Sequence, residues 1–268
     1  MIFNSTNNFL TTIEARMTSS RLPGKVMLNL ENQDTKKRAT VLEILIKRIK
    51  KSKYIKDIVI ATTNKSTDDP IIKIAKKYKI NFFRGDENNV LERLFKATKN
   101  YNHKNIIQLT GDNPLIDPKV IDYLVKFYIK NYSKYDFVSN NNLFQIKKKK
   151  IPDGMTVSIF KKKSLNTVFL KAKKKIFQEH PSLYFYTEGK KIFKIKNVNI
   201  PKYWHNNLNL RLTLDTPHDY FFLRIIYNNL KKKKYFGLTE IINFVKKNRN
   251  LLLINKNIKQ RIPKNINL

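Results

Sequence analysis

Three cations stand close together near the start of the chain, in the run Ala15-Arg16-Met17-Thr18-Ser19-Ser20-Arg21-Leu22-Pro23-Gly24-Lys25. Arg16, Arg21 and Lys25, mixed with small hydroxyl residues in one loop, are the groups that wrap a polyphosphate. The run is not a Walker phosphate loop, because Ser19 and Val26 occupy the positions where that motif needs its first glycine and its final Ser or Thr. Far along the chain are two single carboxylates in distinctive settings. Asp112 lies in Thr110-Gly111-Asp112-Asn113-Pro114, beyond an apolar run, where an Asp next to a Gly is placed to hold a hard cation such as Mg²⁺. Asp215 lies in Arg211-Leu212-Thr213-Leu214-Asp215-Thr216-Pro217-His218-Asp219, again after an apolar run. Each has a plainer reading: a solvated basic loop, an Asp-Asn-Pro turn and a helix N-cap. Together they are the parts of a magnesium-dependent nucleotidyl transfer site.

Such residues converge only if a scaffold carries them to one edge. The run Leu10–Ala15 reads as a strand feeding the cationic loop, and residues 41–49 carry apolar side chains at helical spacing. Residues 57–62 are a β-branched run of the kind found in buried parallel strands. Asp68, Asp69 and Pro70 open a helix over 71–78, followed by a strand at 80–83, a helix at 89–101, a strand at 105–109, a helix at 119–131 and a strand at 136–139. This βαβα alternation with short connections predicts a mostly parallel sheet covered by helices on both faces, with the ligand beyond the carboxyl ends of the strands. Later, residues 155–160, 192–198 and 208–214 read as strands, and 217–230 and 239–247 as helices. Residues 1–10 read as a disordered start, 11–247 as one domain with an acceptor-side or dimerisation insertion at about 144–210, and 248–268 as a tail.

Composition excludes several classes. With 268 residues and no cysteine, the chain has room for a large core and owes nothing to disulfides, thiolate zinc sites or a cysteine nucleophile. His103, His180, His205 and His218 lack zinc-helix spacing, and there is no GxSxG elbow. No run has the length and apolarity of a membrane span, and residues 1–10 lack a signal-peptide pattern, so a cytoplasmic protein is expected. The 55 basic residues against 20 acidic give +35. Of these, 45 are lysines spread along the chain in runs such as 147–150, 161–163, 173–175 and 231–234. Base reading and bidentate phosphate clamping favour arginine, so the excess argues for a composition bias more than for a nucleic-acid surface.

Seven segments, in order, carry a resemblance: residues 15–26 (ARMTSSRLPGKV), 57–63 (DIVIATT), 83–93 (FRGDENNVLER), 110–118 (TGDNPLIDP), 151–157 (IPDGMTV), Glu179-His180, and 211–220 (RLTLDTPHDY). From Thr11 to about Tyr227 the chain resembles the spore-coat-polysaccharide-type cytidylyltransferases, a branch of the nucleotide-sugar synthetases that includes the CMP-sialic acid and CMP-KDO synthetases. The resemblance implies an α/β, Rossmann-like nucleotidyltransferase fold that joins CTP and a sugar or sugar acid into a CMP-sugar with release of pyrophosphate, in cell-surface polysaccharide biosynthesis. It implies that Arg16, Arg21 and Lys25 bind the triphosphate beside Ala15 and Gly111, that Asp112 and Asp215 hold Mg²⁺, and that Ala61, Thr62 and the Arg84 to Val90 loop line the base and ribose pocket. Asp153, Thr156, Ser158, Glu179, His180 and Arg211 fall on the acceptor side. Relatives are commonly homodimers.

Three departures from the family pattern stand out, one of them at Glu179-His180-Pro181-Ser182-Leu183-Tyr184, where relatives carry EHVTPY. Residues 31–38 form a polar insertion where relatives have a short turn. Where relatives carry DGLDVEVF, this chain reads Asp153-Gly154-Met155-Thr156-Val157-Ser158-Ile159-Phe160, so that two carboxylates become Thr156 and Ser158. A glycosyltransferase of similar architecture, a basic nucleic-acid-binding module and a non-catalytic nucleotide-binding relative are the alternative functions.

Overall fold

The computed structural model describes residues 8–31, 39–141, 151–233 and 235–259. The expected insertion at 31–38, beyond its first residue, and the lysine run 147–150 lie outside them. The strands are β1 (Phe9–Glu14), β2 (Asp57–Thr63), β3 (Asn81–Gly85), β4 (Asn105–Thr110), β5 (Phe137–Ser139), β6 (Ser158–Lys161) and β7 (Ile195–Asn197). They form one sheet in the order β3-β2-β1-β4-β6-β5-β7. All neighbours are parallel except β6, which runs antiparallel to both β4 and β5. The expected mostly parallel α/β architecture is therefore present, and the strand order reverses on either side of β1, at the β1/β4 boundary. That is where a doubly wound sheet opens a crevice.

The helices α1 (Val41–Ile49), α2 (Asp69–Lys77), α3 (Val90–Lys99), α4 (Pro118–Lys130), α5 (Lys162–Lys171), α6 (Lys175–Glu179), α7 (Pro181–Tyr186), α8 (Pro217–Leu230) and α9 (Leu238–Lys247) cover both faces. Alternation along β1 shows how: Phe9 and Ile13 join the main core with α1, α2, α4, α8 and α9, while Leu10 turns to the opposite face. A second core on that opposite side packs α3, α5, α6 and α7 around Ile106, Phe137 and Phe160. Each fully buried Leu, Ile or Val in these cores stabilises the fold by about 1.5–3 kcal/mol relative to exposure. Local signals agree with the packing. Thr40 and Glu43 close a capping box on α1, Pro70 sits in the first turn of α2, and Asp117 caps α4.

Several expected boundaries change. Order does not wait until residue 11: Asn8 accepts the amide of Asn105 at 3.1 Å, and Phe9 and Leu10 are buried in β1. The strand expected at 155–160 is β6, beginning only at Ser158, and the one expected at 192–198 shrinks to β7. The run 208–214 is not a strand. It makes a single bridge, Arg211 to Asp153. Its period-two apolar pattern arises from burial of Leu210, Leu212 and Leu214 against the main core without a partner strand. Helices α5, α6 and α7 went unforeseen because lysine runs and aromatic clusters blur their apolar faces. The described part of the expected tail folds back: Leu251, Leu252 and Ile254 pack on the main core, and Asn255 is buried.

Candidate active site

The loop after β1 is fixed at both ends. Gly24 takes φ +69°, in the left-handed region, and turns the chain into a short 3-10 helix, residues 25–27, which carries Lys25 inward. At the other end Asp68, wholly buried, accepts the amide of Met17 at 2.8 Å on one oxygen. Its second oxygen accepts the hydroxyls of Thr62 (2.8 Å) and Thr63 (2.6 Å) and the amide of Thr63 (3.0 Å). One carboxylate thus latches the cationic loop to the end of β2. Glu87 makes a second latch: it pairs with Lys65, accepts the hydroxyl of Thr18 and lies 3.8 Å from Arg16, which also donates to its carbonyl at 3.3 Å. The Lys65 and Thr18 hydrogen bonds hold its pKa below the ordinary value.

The carboxylates and the cations meet across the crevice. Lys25 Nζ lies 2.7 Å from Asp112 Oδ2 and 2.9 Å from Asp215 Oδ1, and Arg21 Nη2 lies 3.0 Å from the same Asp215 oxygen. Lys25 is only 9 % exposed. Burial would lower its pKa, but Asp112 and Asp215 more than compensate, so the ammonium is held charged. Burial would likewise raise Asp215; the charge and hydrogen bond of Lys25, with Arg21 and Arg211, outweigh it and keep the carboxyl below its usual range. The two aspartates come from segments more than a hundred residues apart, and Leu214 binds the carbonyl of Asp112 at 2.9 Å to hold them in register. Gly111 permits this closure. A Cβ there would stand 2.9 Å from that of Ala15, at the point where the Gly111 amide meets the Glu14 carbonyl at 2.8 Å.

A cluster of cations, two facing carboxylates and a sheet of this order coincide with a match to a family: the sequence model of the cytidylyltransferases covers residues 10–258. The chain belongs to the cytidylyltransferase family. It is 35% identical to an uncharacterised protein of Methanocaldococcus jannaschii over 93% of this chain and 95% of that one. With the spore coat polysaccharide biosynthesis protein SpsF of Bacillus subtilis it shares 31% identity, over 90% and 95% of the two chains. Among solved structures, a cytidylyltransferase from Leptospira borgpetersenii superposes with a TM-score of 0.81 at 30% identity, covering 95% of this chain and 99% of that one. A CMP-KDO synthetase solved with CTP has the same fold at a TM-score of 0.57, 14% identity and coverage of 81% and 97%.

Within this cytidylyltransferase, Arg21, Lys25, Asp112 and Asp215 are brought together, whereas Arg16 pairs with the Glu87 latch. The expected base and ribose residues lie along β2, in β3 and at the start of α3. Ala61 and Thr62 are fully buried, the Thr62 hydroxyl being engaged by Asp68, and Arg84 donates to the carbonyls of Thr63 and Lys65 and to Asp69. Arg84 therefore braces the ends of β2 and β3, and Val90 is half-buried at the start of α3. Gly111 closes against Ala15 and Glu14, next to Asp112.

The acceptor-side residues divide. Arg211 is buried beneath Asp215: its guanidinium donates to Asp215 Oδ2 and, at 2.9 Å, to Asp219, with Asp153 3.9 Å away. Gly154, with φ +94°, lets this segment press on the backbone of Leu212, where a Cβ would come within 2.4 Å. Arg211 and Asp153 thus support Asp215 from below. Ser158 is buried in β6, its hydroxyl 3.2 Å from that of Ser139, and Thr156 precedes the strand, so the two do not share a strand face. Glu179 and His180 are exposed at the α6–α7 junction. Surrounding protein lowers the pKa of His180; Glu179 opposes this and the charge of Arg16 adds to it.

Asp68, Glu87, Glu14 and Asn255 escaped sequence reasoning. Glu14 ends β1 and accepts from Thr12 and Gln108, both at 3.0 Å, and Gln108 in turn accepts from Ser182 of α7 at 2.9 Å. Burial pushes the Glu14 carboxyl up to about 7, against the pull of Gln108 and Thr12. A carboxylate at the last strand position, where the chain passes into a cationic loop, was the available signal.

Proposed function

We propose that this chain transfers the cytidylyl group of CTP to a sugar or sugar acid, releasing pyrophosphate, as a step in making cell-surface polysaccharide. The carrying observation is the Lys25 ammonium held between Asp112 and Asp215 with Arg21 alongside. The spore-coat relative and a 3-deoxy-manno-octulosonate cytidylyltransferase of Solibacter usitatus, 30% identical over 43% of each chain, support a sugar acceptor and the polysaccharide setting. A homodimer in the cytoplasm is the accompanying expectation; no helix among the described residues is long and apolar enough to cross a membrane.

The site fits Mg²⁺. Two hard carboxylate oxygens already converge on one positive charge, the donor chemistry that a divalent ion shares with substrate phosphates. Asp112 and Asp215 would hold the ion, which would supply charge stabilisation at the phosphates. Lys25 and Arg21, now paired with those carboxylates, would exchange them for triphosphate oxygens, and Arg16 would add a third cation. These groups orient the triphosphate and offset charge on the departing pyrophosphate while the acceptor hydroxyl attacks the α-phosphorus in line.

The test is pyrophosphate release with each of the four nucleoside triphosphates and a panel of sugar acids and phosphorylated sugars. Turnover with CTP and one acceptor class is expected, abolished by EDTA. In Asp112→Ala it should fall by roughly a hundredfold to a thousandfold, the equivalent of about 3–4 kcal/mol. Full activity in that variant, or no pyrophosphate with any pair, sinks the reading.

A further inference from the structure

The two carboxylates share a detail that their roles do not require. Asp112 turns Oδ2 to Lys25, and its Oδ1 accepts the hydroxyl of Thr110 at 2.7 Å. A hydroxyl has one proton, so Thr110, having given it to Asp112, must receive at its own oxygen, and the Asn113 amide donates there at 2.8 Å. Asn113 is buried, and its Oδ1 has no hydrogen-bond partner, so the side chain accepts a desolvation cost to hold this donor in place. Asp215 repeats the arrangement with different parts. Its Oδ1 faces Lys25 and Arg21, and its Oδ2 accepts Arg211, which is itself gripped by Asp219 and backed by Asn255 from the C-terminal segment.

We propose that Thr110 and Arg211 are positioning residues that engage the far oxygen of each aspartate, so that the site offers a divalent ion one oxygen from Asp112 and one from Asp215. The inference rests on the cation reading above. Its consequence is selectivity. Mg²⁺ takes one or two carboxylate oxygens and fills its remaining positions with phosphate and water, whereas Ca²⁺ gains from carboxylates that close on it with both oxygens. Engaging the far oxygens disfavours the larger ion. Thr110 and Arg211 stand at the usual depth at which such partners tune a metal, and Asn113 and Asn255 hold them from one layer further out.

The experiment is binding of Mn²⁺ in the presence of CTP, followed by electron paramagnetic resonance and titrated with Mg²⁺ or Ca²⁺ as competitor. The full-length wild type, Thr110→Val and Thr110→Ser are compared, with a thermal melt for each. Thr110 is exposed, so removing its hydroxyl leaves the core untouched. Wild type is expected to bind Mn²⁺ and to prefer Mg²⁺ to Ca²⁺ as competitor. In Thr110→Val that preference should narrow by roughly tenfold, the scale of an outer-layer loss, and in Thr110→Ser it should be retained. An unchanged preference in Thr110→Val, or loss of preference in Thr110→Ser as well, overturns the positioning role while leaving the cation reading standing. Absence of Mn²⁺ binding in wild type overturns both.

Discussion

Lys25 shows what a single residue does when its neighbours are fixed. A lysine in a loop invites the expectation that its removal weakens phosphate binding and leaves stability alone. Buried between two carboxylates, it has a structural role too, because taking it away leaves like charges facing one another in a partly desolvated site. Lys25→Met should weaken CTP binding in calorimetry and lower stability by about 1–3 kcal/mol, less than for a deeply buried pair because the Asp112 side chain is 25 % exposed. Added Mg²⁺ should restore much of that stability, and a melt insensitive to Mg²⁺ would count against the shared cation position. Glu14 yields a prediction of opposite sign in pH. Its pKa rises from the ordinary 4.5 to about 7 on folding, so the folded state binds the extra proton and stability declines as pH climbs between those values. Glu14→Gln should remove that decline, with a gain on the order of 1 kcal/mol at about pH 8. Denaturant melts across pH check it, and parallel curves for both proteins would refute it. Asp215 behaves the other way: its lowered pKa gives stability that is present above the unfolded value and is lost in acid.

At the scale of elements, the loop after β1 depends on a residue that does not belong to it. Asp68 precedes α2, yet its carboxylate satisfies a backbone donor in the loop and three donors at the end of β2. Asp68→Ala should leave these groups unpaired, at a cost of about 1–3 kcal/mol, and release Arg16 and Met17 from register with the sheet. The KM for CTP should then rise, with a smaller change in the KM for the acceptor. Equal effects on both would mean that Asp68 only stabilises the fold. The same reasoning explains the failure of the 208–214 run as a strand. Leucines at period two are buried there, but Gly154 brings another backbone so close that a single bridge replaces a ladder.

For the whole molecule the +35 charge is the dominant feature. Lysines distributed over the surface raise the local concentration of any polyanion near the crevice, an effect that salt screens over a Debye length of about 8–10 Å at ordinary ionic strength. The kcat/KM for CTP is expected to fall by about tenfold between about 50 and about 300 mM KCl, while kcat stays nearly constant. A flat kcat/KM would show that the cations of the site act alone.

The sequence by itself determined the alternation of strands and helices through residue 139, because each of those elements carries its own period and its own punctuation. It also picked out Arg21, Lys25, Asp112 and Asp215, residue types placed after apolar runs that the fold brings together. Only the tertiary structure decided which partners the flanking polar residues take within the protein. Arg211 and Arg84 read as binding residues until burial and hydrogen bonds engaged their donors with Asp215, Asp219 and Asp69. Glu87 and Asn255 carried no local signal, since they bind partners 69 and up to 44 residues away, and Asp68, legible as a helix start, reaches Met17 across 51 residues besides its neighbours Thr62 and Thr63. A side chain's partner across such a distance is set by how sheets and helices pack, and no spacing in the chain encodes it.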